Sequence, residues 1–343
     1  MERATSRPAI VKSGVSSGWR IALGLIISAV CIGVLFWQID WRQTMIALVG
    51  ADAKLLVLAA LLLVGCYFAF AIRWWLLLRR DPSLPLYRLF AVLMMGLAAN
   101  VTLPLRPGDA LRVYLVGHVY GGGVARTLGS ILLERILDVA CVVALGGMVA
   151  LYVRLPNTIS GVLVGVSVFV GAVLIVVVLL EVFAGPLTSS LRRKGAESAR
   201  RWTRVVAGQL MAATEILTAG GSLAILMVAT IVGAIGWTLY GAAMIACVAA
   251  LGAGGAIVSG GLLLVVLTNL GGIIPSSPGS IGIYHALAVL ALTVTGTSQE
   301  LALAVAFVSH ALIVIVQLFL GLLGFGSLNS AVRSSIVIKR GLG

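Results

Sequence analysis

The stretch Pro104-Leu105-Arg106-Pro107-Gly108 recurs as Pro275-Ser276-Ser277-Pro278-Gly279, half a chain length later in a sequence of 343 residues. Both read P-x-x-P-G, and each cuts a long apolar run, 89–115 in the first case and 257–294 in the second. Proline removes a backbone donor and clashes with the preceding turn, while glycine lets the chain bend where a Cβ would not fit. Each run therefore reads as two half-helices around a hinge: Pro104, Pro107 and Gly108 in the first, Pro275, Pro278, Gly279 and Gly282 in the second. Paired breaks at corresponding positions point to a transport site where two membrane-embedded repeats meet. Outside this pattern the halves share little identity, so chance recurrence is the competing explanation.

Working outward, the composition demands a membrane. The chain is 61% hydrophobic and only 10% charged, with a mean hydropathy of +1.15. A soluble domain has no way to hide that much apolar surface. Cys31, Cys66, Cys141 and Cys247 all fall in apolar runs, without metal-ligand or disulfide spacing, and read as buried thiols. The net charge of +13 does not mark a nucleic-acid binder, because the basic residues sit between apolar spans. Arg3, Arg7, Lys12 and Arg20 before the run 21–37 resemble a signal peptide. The run is long for one and lacks a small-residue cleavage site, so it reads as a retained first span.

Full spans are predicted at 21–37, 55–78, 128–153, 159–183, 223–251 and 301–326. Between them lie the two hairpins, 89–103 with 109–120 and 257–274 with 280–295. The fold class is all-α: a polytopic membrane protein of about six full transmembrane helices plus two re-entrant half-helix hairpins, arranged as an inverted repeat. With the N-terminus in the cytoplasm, only Arg42, Lys54 and Arg154 of the loop cations fall outside, a strong positive-inside bias. That topology puts both termini in the cytoplasm and sends the hairpins inward from opposite faces. Residues 1–20 and 329–343 read as cytoplasmic tails around one membrane domain, 21–328. Residues 187–217 read either as a basic amphipathic helix on the anionic cytoplasmic leaflet or as a topology-setting loop.

Charges inside the spans need a reason, since one at mid-bilayer costs about 2.5–3.5 kcal/mol. Glu134, Arg135 and Asp138 share a span at helical spacing. They form either a self-neutralising cluster or the wall of a polar cavity. Arg106 and Arg112 flank the first break, and guanidinium forks bind phosphate oxygens bidentately. Asp109 follows Gly108 and reads as a cap for the second half-helix or as a substrate contact. Arg73 is either a fourth member of the site or a side chain snorkelling beside Trp74 and Trp75. Four arginines against three carboxylates leave the site slightly positive, which suits a phosphate-bearing ligand.

The second break is neutral. Ser276, Ser277 and Ser280 offer hydroxyls, followed by Tyr284 and His285. His285 reads as a proton acceptor or a packing residue; His118 and His310 are isolated and have no assigned role. Asn100 and Asn269, upstream of the two breaks, are acceptors for freed backbone groups. No nucleophile–base constellation, P-loop or zinc spacing is present, so neither nucleotide hydrolysis, a metal nor another cofactor is expected.

Arg73-Trp74, Asn100…Pro104-Leu-Arg106-Pro-Gly108-Asp109…Arg112, Glu134-Arg135…Asp138 and Pro278-Gly279…Gly282 together resemble the flippase-like family. That family is the transmembrane region of lysylphosphatidylglycerol synthases and stand-alone proteins similar to it. The resemblance implies movement of phospholipids or lipid-linked compounds between leaflets without nucleotide hydrolysis. The two-domain synthases add a soluble aminoacyltransferase domain; with the sequence ending at Gly343, that activity is expected to be absent. Where the family often has Pro-Gly-Gly and a later acid, this chain has Pro278-Gly279-Ser280 and His285, so no role carries over there.

The leading expectation is an inner-membrane flippase or scramblase for an anionic phospholipid or polyprenyl-phosphate lipid. Its headgroup would be held by Arg106, Arg112, Arg135 and Arg73, in a cavity shaped by Asn100, Asp109, Glu134, Asp138, Ser280, Tyr284 and His285. The alternatives are a lipid-binding scaffold that serves a separate lipid-modifying enzyme, and an integral-membrane transferase using Asp138 or Glu134 as base.

Overall fold

The computed structural model describes residues 26, 30, 33, 41–78, 84–121, 123–197, 223–252, 257–273 and 277–340. These residues are helical, with no strand among them. The helices are α1 (Trp41–Val49), α2 (Ala53–Leu77), α3 (Leu86–Thr102), α4 (Gly108–Tyr114), α5 (Val124–Tyr152), α6 (Asn157–Glu197), α7 (Leu223–Ala250), α8 (Ile257–Leu270), α9 (Ile283–Val294) and α10 (Gln299–Arg340). A π-helical turn, Leu115–Val119, continues α4, and short 3-10 turns, Gly271–Ile273 and Pro278–Ser280, lie between α8 and α9. The chain is an all-α, multi-pass membrane protein.

Among the described residues, four helical stretches are long and apolar enough to cross a bilayer: Ala53–Leu77, Asn157–Val176, Leu223–Ala250 and Gln299–Leu328. Helix α5 is also long, at 29 residues, but contains Glu134, Arg135 and Asp138. Most of the expected span 21–37, all of the tail 1–20 and residues 198–217 of the basic segment lie outside the described residues. The first part of that segment belongs to α6, which runs on to Glu197. Likewise α10 continues to Arg340 through residues expected as a tail. Helix α1 has no counterpart in the sequence reading; it packs on α10, where the Thr44 hydroxyl donates to the Glu300 carbonyl at 3.4 Å.

Helix contact in lipid depends on close packing rather than on expelling water, so small residues mark the interfaces. The longest interface is α2 against α7, antiparallel. A Cβ on Gly236 would stand 2.6 Å from Phe70, and one on Gly233 would meet the Arg73 guanidinium at 2.9 Å. The main apolar core is drawn from α2, α7, α8 and α10, with Leu63, Met244, Leu263 and Val305 fully buried.

Two antiparallel hairpins sit within this frame. In the first, Gly96 faces Arg112 and Asn100 faces Gly108 across α3 and α4. In the second, Gly260 faces Leu292 and Thr295, and Gly271 faces Leu287. At 1.5 Å per residue, α3, α8 and α9 reach about 25, 21 and 18 Å, short of the roughly 30 Å hydrocarbon core. The arms of the second hairpin are shorter than expected because the 3-10 turns take their ends.

The hairpins open toward opposite ends of the bundle. The first is entered from the C-terminal end of α2, where the Arg126 guanidinium reaches the Leu78 carbonyl. The second is entered from the N-terminal end of α2, where the Asp52 amide donates to the Ala250 carbonyl at 2.8 Å.

Candidate functional site

The site is assembled where the two breaks touch. Helix α3 ends at Thr102, and the chain then turns through Leu105 (φ 66°) and Arg106 (φ 51°), a left-handed conformation uncommon for side chains of this size. Gly108 restarts the helix with its amide donating to Asn100 Oδ1 at 2.7 Å. Asn100 thus supplies the acceptor that this helix start requires. Asp109 does not cap: its carboxylate is held elsewhere. Only glycine fits at 108, because a Cβ would lie 1.9 Å from the Gly96 carbonyl oxygen.

The second break turns through Gly279 (φ 68°), Ser280 (φ 56°) and Gly282 (φ 91°). Pro275 and Ser276 lie outside the described residues. Gly279 comes against the first hairpin, its would-be Cβ 3.2 Å from the Val101 carbonyl. Arg106 ties the two breaks together. One of its guanidinium nitrogens donates to the Gly272 carbonyl at 2.6 Å and the other to the Ser280 hydroxyl.

Behind this junction the remaining charges pair. Arg112 forks onto Glu134, with contacts of 3.1 and 2.7 Å, and lies 4.0 Å over the Trp74 ring. Arg73 binds Asp138 at 2.6 Å and is 3.9 Å from Glu134. Arg135 holds both oxygens of Asp109 at 2.9 Å and lies 3.7 Å from Asp138. The Trp237 indole also donates to Asp138, at 2.9 Å. Arg73 and Arg112 are 0% and 1% exposed, against 46% for the Arg135 side chain. Arg106 differs from the other three: its hydrogen bonds go to neutral oxygens.

A cavity of about 450 Å3 opens at the junction. Of the expected site residues, Asn100, Arg106, Asp109, Glu134, Arg135, Asp138 and Ser280 line it. Arg112 and Arg73 do not. Each is buried against a carboxylate partner, away from the cavity wall, and Arg73 does not snorkel. Tyr284 and His285 are also absent from the wall. The Tyr284 hydroxyl pairs with the Ser309 hydroxyl at 3.0 Å, and its ring stacks 4.5 Å from His310. His285 packs against Phe307 and His310. His310, isolated in the sequence, therefore belongs to a cluster with Tyr284 and His285.

The wall also includes residues that the sequence reading passed over: Tyr67, Trp237, Tyr240, Thr268 and Gln317. Gln317 Nε2 donates to the Tyr67 hydroxyl at 3.0 Å. A lone glutamine within an otherwise apolar span was the available signal, since polar side chains at that depth face an interior.

Residues 21–321 match the family model described as the lysylphosphatidylglycerol synthase TM region, which points to a membrane lipid-related role. The chain is also similar to a glycosyltransferase, AglD, of Haloferax volcanii, at 24% identity over 350 residues. That alignment covers 92% of this chain and 55% of the relative. The chain thus spans about half the length of the curated relative that it matches.

Proposed function

The chain belongs to the lysylphosphatidylglycerol synthase TM region family, and from that premise we propose that it is a lipid flippase or scramblase. It moves an anionic phospholipid or polyprenyl-phosphate lipid between the leaflets of the cell's inner membrane, without nucleotide hydrolysis or covalent catalysis. The observation that carries this reading is Arg106. It stands at the contact between two oppositely opening hairpins, faces the cavity, and has neutral oxygens as its hydrogen-bond partners.

A phosphate outcompetes a carbonyl and a hydroxyl for a guanidinium, because charge-assisted bonds are roughly twice as strong as neutral ones. Binding therefore releases Gly272 and Ser280 from Arg106 and unlocks one hairpin from the other. Arg135 adds a second exposed cation at the wall. Arg112 and Arg73 act as positioning residues that hold Glu134 and Asp138 in place. Acyl or prenyl tails stay in the bilayer, and rocking of one inverted repeat against the other exposes the headgroup alternately to each face.

The test is reconstitution into vesicles and measurement of labelled anionic phospholipid crossing the bilayer without nucleotide. Wild type is expected to accelerate crossing. Arg106→Ala, checked for folding, is expected to slow it at least tenfold, and an unchanged rate would remove the mechanism.

A further inference from the structure

Behind the second break lies a buried layer that lipid binding at Arg106 leaves unused. Tyr284, His285, Ser309 and His310 are each 9% exposed or less, and Phe307 stands 4.8 Å from the His285 ring. The two imidazole rings lie 5.0 Å apart, edge to face. Among the described residues, neither pairs with a carboxylate. The carboxylates of the cavity wall are committed to guanidinium groups: Asp109 to Arg135, Glu134 to Arg112 and Asp138 to Arg73. At this junction an imidazole is therefore the group best placed to take up a proton.

The surroundings of the pair are otherwise neutral. Helix α9 packs on α10, α8 and the turn Gly271–Ile273. Helix α8 and that turn carry no titratable side chain, and α10 brings His310. From α2 and α7, the phenols of Tyr67 and Tyr240 and the thiol of Cys247 stand near Tyr284. The cation tied to this break is Arg106, through Ser280.

Geometry also selects the atom. His285 Nδ1 accepts from the Gly282 amide at 3.4 Å and so closes the start of α9. A neutral imidazole has one donor and one acceptor nitrogen, so Nε2 carries its proton. An added proton then goes to Nδ1, the atom that holds Gly282. A protonated His285 and a closed turn exclude each other. Gly282 lies two residues beyond Ser280, and Gly279 and Ser280 stand in the cavity wall. The turn fastened by His285 is thus the same one that Arg106 fastens from the other side.

Two effects join the proton to the lipid. A phosphate on Arg106 releases Ser280 and a proton on Nδ1 releases Gly282, so each loosens the turn for the other, and such linkage is reciprocal. Charge acts in the same direction: Arg106 opposes a second cation on this turn, and a bound phosphate removes the opposition.

We infer that lipid crossing is coupled to a proton, which binds His285 Nδ1 and moves in the same direction as the anionic lipid. The proton is taken from water on one face and returned to water on the other, with no covalent bond changed. This goes beyond the flippase reading by supplying its energy source, and rests on it.

Two measurements test it. The first adds short-chain phosphatidylglycerol to the purified full chain in weakly buffered detergent, between about pH 5 and about pH 8, where imidazoles change charge. Wild type is expected to take up protons as the lipid binds. No uptake anywhere in that range overturns the inference without any variant having to fold. The second imposes a pH difference of about one unit across sealed vesicles, which supports up to about tenfold accumulation at one proton per lipid. Labelled phosphatidylglycerol is expected to accumulate at least threefold in the leaflet facing the alkaline side, relative to protein-free vesicles, and a protonophore should abolish this. In His285→Asn the amide oxygen can still accept from Gly282 but takes no proton, so both uptake and accumulation should vanish. Their survival in that variant overturns the assignment. Crossing measured without a gradient separates the two levels. If wild type carries lipid but never accumulates it, proton coupling falls and the flippase reading stands; if it carries none, both fall.

Discussion

The two breaks share an outline and differ in chemistry. The first is charged: Arg106, Asp109 and Arg112 surround Gly108, and Glu134, Arg135 and Asp138 stand opposite on α5. The second is neutral, turning through Gly279 and Ser280, with Tyr284, His285, Phe307 and His310 packed as a layer behind it. The contrast shows that the pairing of hairpins is geometric and not chemical. One hairpin brings a cation, and the other brings only weak, neutral acceptors for it. That mismatch leaves Arg106 with hydrogen bonds to a carbonyl and a hydroxyl and none to a carboxylate.

A second contrast lies within the first break itself. Arg112 is locked into a buried ion pair, while Arg106 is exposed and bonded to neutral oxygens. Arg112→Ala should therefore do the greatest structural damage, about 3–5 kcal/mol, because it strands Glu134 in the interior. Thermal unfolding in detergent would measure the loss, and the double variant with Glu134→Gln should recover part of it. Recovery of nothing would mean that the pair is not the source of the cost.

Gly108→Ala should cost about 1–3 kcal/mol, since its methyl group meets backbone that has to move. The same assay applied to Gly147→Ala, a helical glycine where a Cβ meets nothing within 4 Å, isolates the cost of the contact. Arg106→Ala should shift stability by less than about 1 kcal/mol, as for a half-solvated polar contact, yet slow lipid crossing at least tenfold. Equal losses of stability in Arg106→Ala and Arg112→Ala would erase the distinction between a ligand-binding arginine and a positioning one. Asp109→Asn, which weakens an exposed pair, should change unfolding by no more than about 1 kcal/mol. Because it frees Arg135, it should also tighten binding of an anionic lipid.

The helices and breaks were legible because their causes are local. Two prolines within five residues remove too many backbone donors for a helix to continue, and a sustained apolar run has few options other than a membrane span. Which arginine faces the cavity was not legible. Arg106 and Arg112 flank the same glycine, and nothing in their own neighbourhood tells them apart. Arg106 falls in a left-handed turn that aims it at the second break, while Arg112 falls on the face of α4 that meets Glu134. Both outcomes depend on how α4, α5 and the second hairpin come together. The burial of Arg73 was not legible for the same reason, because Asp138 reaches it from another helix. Tyr284 and His285 followed the second break in sequence, but α9 turns them toward α10 and away from the cavity.

The most direct measurement places a single cysteine at Thr268, in the cavity wall, with the native cysteines replaced, in sealed vesicles of known orientation. A membrane-impermeant thiol reagent is then applied from one side or the other. Alternating exposure of the headgroup site predicts labelling from both faces, slowed from each by an anionic lipid. Labelling from one face alone would contradict passage between the hairpins and leave a site that only holds its lipid.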